Sequence, residues 1–326
     1  LTRIEQSEWP LIIVGSGPAG IGVALEAKRR GVNALMIDRG SLCNTIYNFP
    51  ERMTFFSTAE LLEFPGIPMV AEGAKPTRRE VLDYFTRIVT SNALPAKTYC
   101  EVTSIARKDE HFVISTSSAE FKANAVVLAT GSYDQPNRLG VPGEDARHVS
   151  HYYKSPHPYI GQDVVIVGGK NSAAEAALEL HRAGARVTLV HRGGAMSPSV
   201  KYWIKPDLEN RIREGSIRAL FEFTVKAIGE HTVSVEGNGL KMEIPADAVL
   251  LLTGYNPDFS WLRSLGLEFE SAAELPVHNV ETLETNVPGI YVAGVVIAGR
   301  ETSRVFIENS RTHGAKILDH FLSTKS

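Results

Sequence analysis

Three glycines, Gly15, Gly17 and Gly20, follow the apolar run Leu11-Ile12-Ile13-Val14 in the spacing GxGxxG. That spacing suits phosphate chemistry. The first glycine permits a tight turn, the second lets backbone approach a pyrophosphate, and the third lets a helix pack closely on a strand. The start of the helix adds unpaired N–H groups and the positive end of a dipole. Asp38 stands 23 positions after Gly15, at the end of the next apolar run, where a carboxylate accepts hydrogen bonds from ribose hydroxyls. A lone glycine pattern is also met in plain packing turns; strand, turn, helix and acid together specify a dinucleotide site.

A second constellation begins at Gly168-Gly169-Lys170-Asn171-Ser172-Ala173. Gly168 and Ala173 fit the first and third glycine positions, and Lys170 takes the middle one. His191-Arg192 stands where the acid would be, 23 positions after Gly168. Arg192 can pair with a ribose 2′-phosphate that an aspartate would repel, so NADPH is expected here rather than NADH. The alternative for Arg192 is an ordinary solvated cation, and Lys170 can serve either pyrophosphate or solvent.

Thiol chemistry is sparse. Cys43 and Cys100 are 57 positions apart, which excludes a CxxC redox pair, a zinc pair and a disulfide-stapled scaffold. No metal site is expected. Cys43 follows Asp38 closely and is a weak candidate for a redox thiol; Cys100, in an expected strand, is read as buried and inert. Arg311 and His313, on the expected last helix, are candidate contacts to substrate carboxylates or to a subunit partner. Tyr47, Phe55 and Phe56 are candidates to shield a bound cofactor, and Tyr255 is read as packing.

These residues need two α/β units to position them. The chain of 326 residues has room for about two domains, and 43% hydrophobic content can fill their cores. A net charge of -3 supplies no positive field for nucleic acid or an acidic membrane. The first residues do not read as a signal peptide, and no run of about 18 apolar residues occurs; a soluble, cytoplasmic enzyme is expected. Strands are predicted at 11–14, 34–37, 98–105, 112–117, 121–129, 164–167, 186–190, 217–223, 232–235, 248–252 and 290–293. Helices are predicted at 21–30, 78–92, 172–183, 201–214 and 303–322. The fold class is α/β: two Rossmann-like three-layer domains, residues 1–133 plus 254–326 around an inserted 134–253.

FAD is preferred at the first site because that site is N-terminal and is followed by a long, turn-rich, aromatic segment suited to covering a cofactor. Leu128-Ala129-Thr130-Gly131 and Gly289 to Gly294 both end strands in small residues. The terminal helix would then aim its positive end at the flavin. The residues expected around FAD are Gly15, Ser16, Gly17, Pro18, Ala19, Gly20, Asp38, Arg39, Asn44, Thr45, Met53, Thr54, Phe55, Val102, Ala129, Thr130, Gly131, Gly294, Val295, Arg304 and Val305. Those expected around NADPH are Gly168, Gly169, Lys170, Asn171, Ser172, Ala173, His191 and Arg192.

The chain resembles the two-dinucleotide flavoproteins of the low-molecular-weight thioredoxin reductase type, and within them the bacillithiol disulfide reductase (YpdA-like) group. The resemblance rests on Gly15 to Gly20, Asn44 to Pro50, Met53 to Thr58, Gly168 to Ala173 with Glu175-Ala176-Ala177, Val190 to Gly193, Gly289 to Gly294, and Phe306 to Asn309 with Arg311 and His313-Gly314. It covers essentially the whole chain. It implies an NADPH- and FAD-dependent reductase of a small disulfide, built as a dimer or tetramer. One position departs: many members of that group carry a cysteine where this chain has Ala19. Electrons are therefore expected to pass from the flavin directly to an outside acceptor. The rival readings are a ferredoxin or flavodoxin NADP+ reductase, a flavin monooxygenase, and a non-catalytic NAD(P)H-sensing flavoprotein.

Overall fold

Each glycine motif opens a β-α-β unit, and each unit seeds its own sheet. The computed structural model describes residue 4 and residues 6–324. The chain divides into two units: Leu1–Phe49, Met53–Gln135 and Tyr255–Ser326 form the first, and Pro136–Gly254 with Pro50–Arg52 form the second.

The first unit starts with β1 (Glu8–Val14), α1 (Pro18–Arg29) and β2 (Ala34–Ile37). It continues through α2 (Arg78–Ser91), β3 (Ala96–Lys97), β4 (Val102–Lys108), β5 (His111–Thr116) and β6 (Glu120–Leu128). The strands order as β3-β2-β1-β6-β5-β4. Pairing is parallel from β3 to β6 and antiparallel from β6 to β4. Alternate residues of β1 serve opposite cores. Leu11 and Ile13 meet Ile21, Phe85 and Ile317, whereas Ile12 and Val14 meet Phe112, Ile114 and Leu262. Covered on both faces, β1 is apolar throughout its central run. Thr77 and Glu80 form a capping box at the start of α2, satisfying two N–H groups that the helix leaves unpaired.

The second unit is the insertion. It contains β7 (Val149–Ser150), β8 (Asp163–Val167), α3 (Asn171–Arg182), β9 (Arg186–His191), α4 (Lys205–Arg213) and β10 (Arg218–Phe221). Then come β11 (Phe223–Ile228), β12 (Thr232–Gly237), β13 (Leu240–Pro245) and β14 (Ala248–Leu251). A parallel sheet orders as β10-β9-β8-β14-β7, and β11-β12-β13 form an antiparallel sheet. Val164 and Ile166 face the core under α3; Val165 and Val167 face the antiparallel strands. The chain then returns to the first unit with β15 (Ile290–Val292), which pairs with residues 126–128 of β6, and α5 (His313–Ser323). Both units are Rossmann-like.

Several expected elements are redrawn. The single helix over 303–322 is instead a short helix, Ile307–Ser310, followed by α5. Phe306 is extended, its N–H donating to Asn309 Oδ1 at 2.8 Å, which delays the helix. Beyond it the chain is drawn onto α1: a Cβ at Gly314 would lie 2.8 Å from the Gly22 carbonyl oxygen. The strand expected over 98–105 starts only at Val102, because Tyr99 turns at φ +54°. A left-handed Glu222 (φ +62°) divides the strand expected over 217–223 into β10 and β11. The helix expected from Lys201 starts at Lys205, because the preceding residues are pinned elsewhere. Strand β13 escaped the sequence reading: it is mostly exposed, so no apolar run marks it.

Candidate dinucleotide sites

The first site forms where β1 hands over to α1. Gly15 donates its N–H to the Ile37 carbonyl at 2.8 Å, and Ala129 donates to Val14 at 2.8 Å. The turn is thereby hung between β2 and β6. A Cβ at Gly15 would fall 2.3 Å from the Ala129 oxygen, and one at Gly20 would fall 2.1 Å from the Gly15 oxygen. At Gly17 a Cβ would meet nothing within 4 Å. The outer glycines close the turn, and the middle one faces open space. No side chain caps α1, and Pro18 occupies its first turn, so the remaining first-turn N–H groups are available to a phosphate.

Asp38 is already engaged. Its Oδ2 accepts from Ser16 N–H at 2.7 Å and Ser16 Oγ at 2.9 Å, and its Oδ1 accepts from Gly40 N–H at 2.8 Å. Backbone bonds from Tyr99 to Gly40 and from Cys100 to Asp38 lay the residues before Val102 beside this acid. Arg39 pairs with Asp134 at 2.5 Å. Asn44 and Thr45 open the short helix Asn44–Tyr47, and the Asn44 amide lies over Gly40. Met53 to Phe55 run beside residues 76–78, with bonds Arg78 N to Met53 O and Phe55 N to Pro76 O, both 2.9 Å. Gly131 and Gly294 take positive φ, +73° and +77°. Gly294 stands against the Ala19 methyl: a Cβ there would lie 2.7 Å from it. The turn after β15 continues as a five-residue 3-10 helix, Gly294–Ala298, which carries Val295. Farther on, Arg304 is exposed and pairs with Glu301 at 2.9 Å, with Val305 next to it.

Three candidates for chemistry beyond cofactor binding receive other duties. Cys43 is 1% exposed, and burial, with Asp38 nearby, pushes its thiol far above the usual range. Its side chain packs into the core of the first unit, and burial of this kind disfavours the thiolate. His313 is buried at the start of α5, where its Nδ1 accepts the Gly294 N–H at 3.1 Å. That bond orders the glycine turn beside Ala19. Arg311 Nη1 donates to the carbonyls of Glu60, Leu61 and Glu63 at 3.1, 3.1 and 2.8 Å, a bracket between distant segments of the first unit. The aromatic candidates also part ways. Phe55 is buried in the core, while Tyr47 and Phe56 are more than half exposed. Tyr133, missed in the sequence, packs edge-to-face against Phe49 (5.3 Å) and at a tilt against Tyr255 (4.5 Å).

The second site repeats the plan with different chemistry. Gly168 N–H donates to Val190 O at 3.1 Å, and a Cβ at Gly168 would lie 2.6 Å from the Leu252 oxygen. A Cβ at Gly169 would strike the His191 ring at 2.2 Å, so that imidazole roofs the turn. Burial, then the Arg192 charge, lowers the His191 pKa. Helix α3 has no side-chain cap; Lys170, Ser172 and Arg192 are exposed and Ala173 is buried. The Asn171 side chain is occupied, with Nδ2 donating to Ser199 O at 3.2 Å and Oδ1 accepting from Lys201 N–H at 2.8 Å. What the site presents to a ligand is helix backbone and an exposed arginine, a set suited to phosphates.

Two glycine turns of this geometry, each at the end of a parallel-paired strand, define a two-dinucleotide oxidoreductase. The chain belongs to the pyridine nucleotide-disulphide oxidoreductase family, which it matches over residues 12–294. It is similar to bacilliredoxin reductase Bdr of Bacillus subtilis, with 42% identity over 94% of this chain and 95% of that protein. Among solved structures it is similar to bacillithiol disulfide reductase Bdr (YpdA) from Staphylococcus aureus. That match has 39% identity and a TM-score of 0.95, covering 98% of this chain and 100% of the other. Bacillithiol disulfide reductase Bdr (YpdA) from Bacillus cereus is 38% identical with a TM-score of 0.95, covering 97% of this chain and 99% of the other.

Proposed function

We propose that the protein is an NADPH-dependent, FAD-containing oxidoreductase that reduces a low-molecular-weight disulfide, bacillithiol disulfide. In this reading the first unit holds FAD and the insertion holds NADPH. The observation that carries it is the pair of uncapped helices behind glycine turns, closed by opposite charges: Asp38 at one and Arg192 at the other. A carboxylate suits ribose hydroxyls; an arginine suits a 2′-phosphate. The small-disulfide substrate rests on the similarity to the Bacillus and Staphylococcus reductases.

FAD, when bound, supplies two-electron transfer between NADPH and a disulfide. The protein's part is placement. The α1 and α3 backbone amides would hold the two pyrophosphates, and Asp38 with Ser16 would orient a ribose. His191 covers the second turn, and His313 holds the Gly294 turn beside Ala19. Cys43 and Cys100 are free and buried, so neither offers a surface thiol to relay electrons. Reduced free cysteines suit a cytoplasmic setting. Assembly into a homodimer or tetramer is part of the same reading, supported by exposed Tyr47, Phe56, Leu61 and Phe306 on the first unit.

Stopped-flow mixing tests the proposal. The FAD-loaded protein should be reduced by NADPH and then reoxidised by bacillithiol disulfide within the turnover time. Reoxidation by ferredoxin, flavodoxin or oxygen with none by the disulfide would reject it. Arg192→Ala should weaken NADPH by about tenfold or more, the value of one charge-assisted phosphate contact, and leave NADH nearly unchanged. Equal losses for the two nucleotides would reject the 2′-phosphate assignment.

A further inference from the structure

A buried ion pair lies in the second unit, outside the glycine motif. Lys201 is 4% exposed, and its Nζ pairs with Glu175 Oε1. Lys201 follows Arg192 in the segment 192–204, between β9 and α4. That segment folds back onto the start of α3 and the turn before it, and is held there from Ser197 to Lys201. Ser197 N–H donates to Gly169 O at 2.8 Å. Asn171 grips the backbone of Ser199 and Lys201. Met196 and Val200 are buried, and Trp203 stacks 5.7 Å from the Lys201 ammonium. Asn171 and Glu175 are four residues apart, hence on one helical face. The same face continues to Glu179, which accepts from Tyr153 Oη at 2.8 Å.

Burying a lysine and a glutamate strips hydration from both ions, and apolar residues would often serve stability equally well. A buried pair instead contributes register, because the unlike charges are satisfied in one alignment only. Here the register is that of the Arg192-bearing segment on the helix that opens the second dinucleotide turn.

We propose that Lys201 and Glu175 are positioning residues that hold segment 192–204 on α3, setting the position of Arg192 and with it the preference for a 2′-phosphorylated dinucleotide. The proposal rests on the reading of the insertion as an NADPH site. The pair touches no nucleotide. It acts through the segment that it locks.

The test uses the FAD-loaded full chain and titration with NADP+ and NAD+, read as the ratio of the two dissociation constants. Lys201→Met should lower the preference for NADP+ by about tenfold while NAD+ binding moves by less than about twofold. Glu175→Gln, nearly isosteric, should shift the ratio in the same direction. Lys201→Arg, which keeps the charge, should hold the ratio within about twofold of the parent. In an Arg192→Ala background, Lys201→Met should change the ratio no further. An unchanged ratio in folded Lys201→Met or Glu175→Gln overturns the proposal, as does an equal loss of both nucleotides. A ratio as poor in Lys201→Arg as in Lys201→Met also overturns it. If Arg192→Ala itself leaves the ratio intact, the NADPH reading of Arg192 fails first. If Arg192→Ala lowers the ratio but Lys201→Met does not, only the positioning role fails.

Discussion

His313 shows how a residue chosen for its chemistry can be spent on structure. Burial, with smaller contributions from Lys316 and His278, lowers its pKa from 6.5 to about 4. The neutral ring is what accepts the Gly294 N–H. Between those two values the unfolded chain binds a proton that the folded chain refuses, so stability falls as pH falls from about 6.5 towards 4. The loss is at most a few kcal/mol, about 3 from the size of the shift. Thermal melts at pH 7 and pH 5 should show it, and His313→Gln should flatten the slope while keeping an acceptor for Gly294. A slope unchanged in H313Q would place the proton uptake elsewhere; His151 and His191 titrate in the same direction. The sequence placed His313 on the expected last helix, a turn or so below its start; only the structure makes it the first residue of α5 and turns it to Gly294. The partners of Arg311 are invisible in the sequence for the same reason: the carbonyls it ties lie some 250 positions away.

At the scale of elements, three glycines of α1 and its turn divide the work. Gly17→Ala should fold normally, since its Cβ meets nothing within 4 Å, yet its methyl would occupy phosphate space. The flavin-to-protein absorbance ratio should fall sharply with little change in Tm. Gly31→Ala, at φ +72° in open space, should cost about 1 kcal/mol of stability and retain full flavin. Gly20→Ala should damage both, because its methyl would press on the Gly15 oxygen at 2.1 Å and backbone there cannot yield. If G17A keeps full flavin content, the pyrophosphate does not sit on α1. The β-α-β units were legible because buried parallel strands are apolar runs and glycine turns have fixed spacing. The helix break at residues 311–312 was not, because both residues keep right-handed dihedrals and ordinary helical composition.

For the whole molecule, the question is how electrons leave. A dithiol route requires two sulfurs in reach; here each is about 1% exposed, and Cys43 is held protonated. The variant with both Cys43→Ala and Cys100→Ala should lose a little stability to small cavities, about 1 kcal/mol per site. It should reduce bacillithiol disulfide within about twofold of the parent rate. Loss of disulfide turnover with flavin reduction intact would reject direct transfer. Among the described residues no helix is long and apolar enough to cross a membrane. The sequence by itself determined the two glycine turns, their opposite terminal charges, the insertion and the want of a dithiol, because these are local patterns or plain counts. Tertiary structure alone decided which side chains remain for ligands. Cys43 went to the core, His313 to a backbone amide, Arg311 to three carbonyls and Lys201 to Glu175. Those outcomes depend on partners distant in the chain and on burial, which spacing along a sequence does not encode.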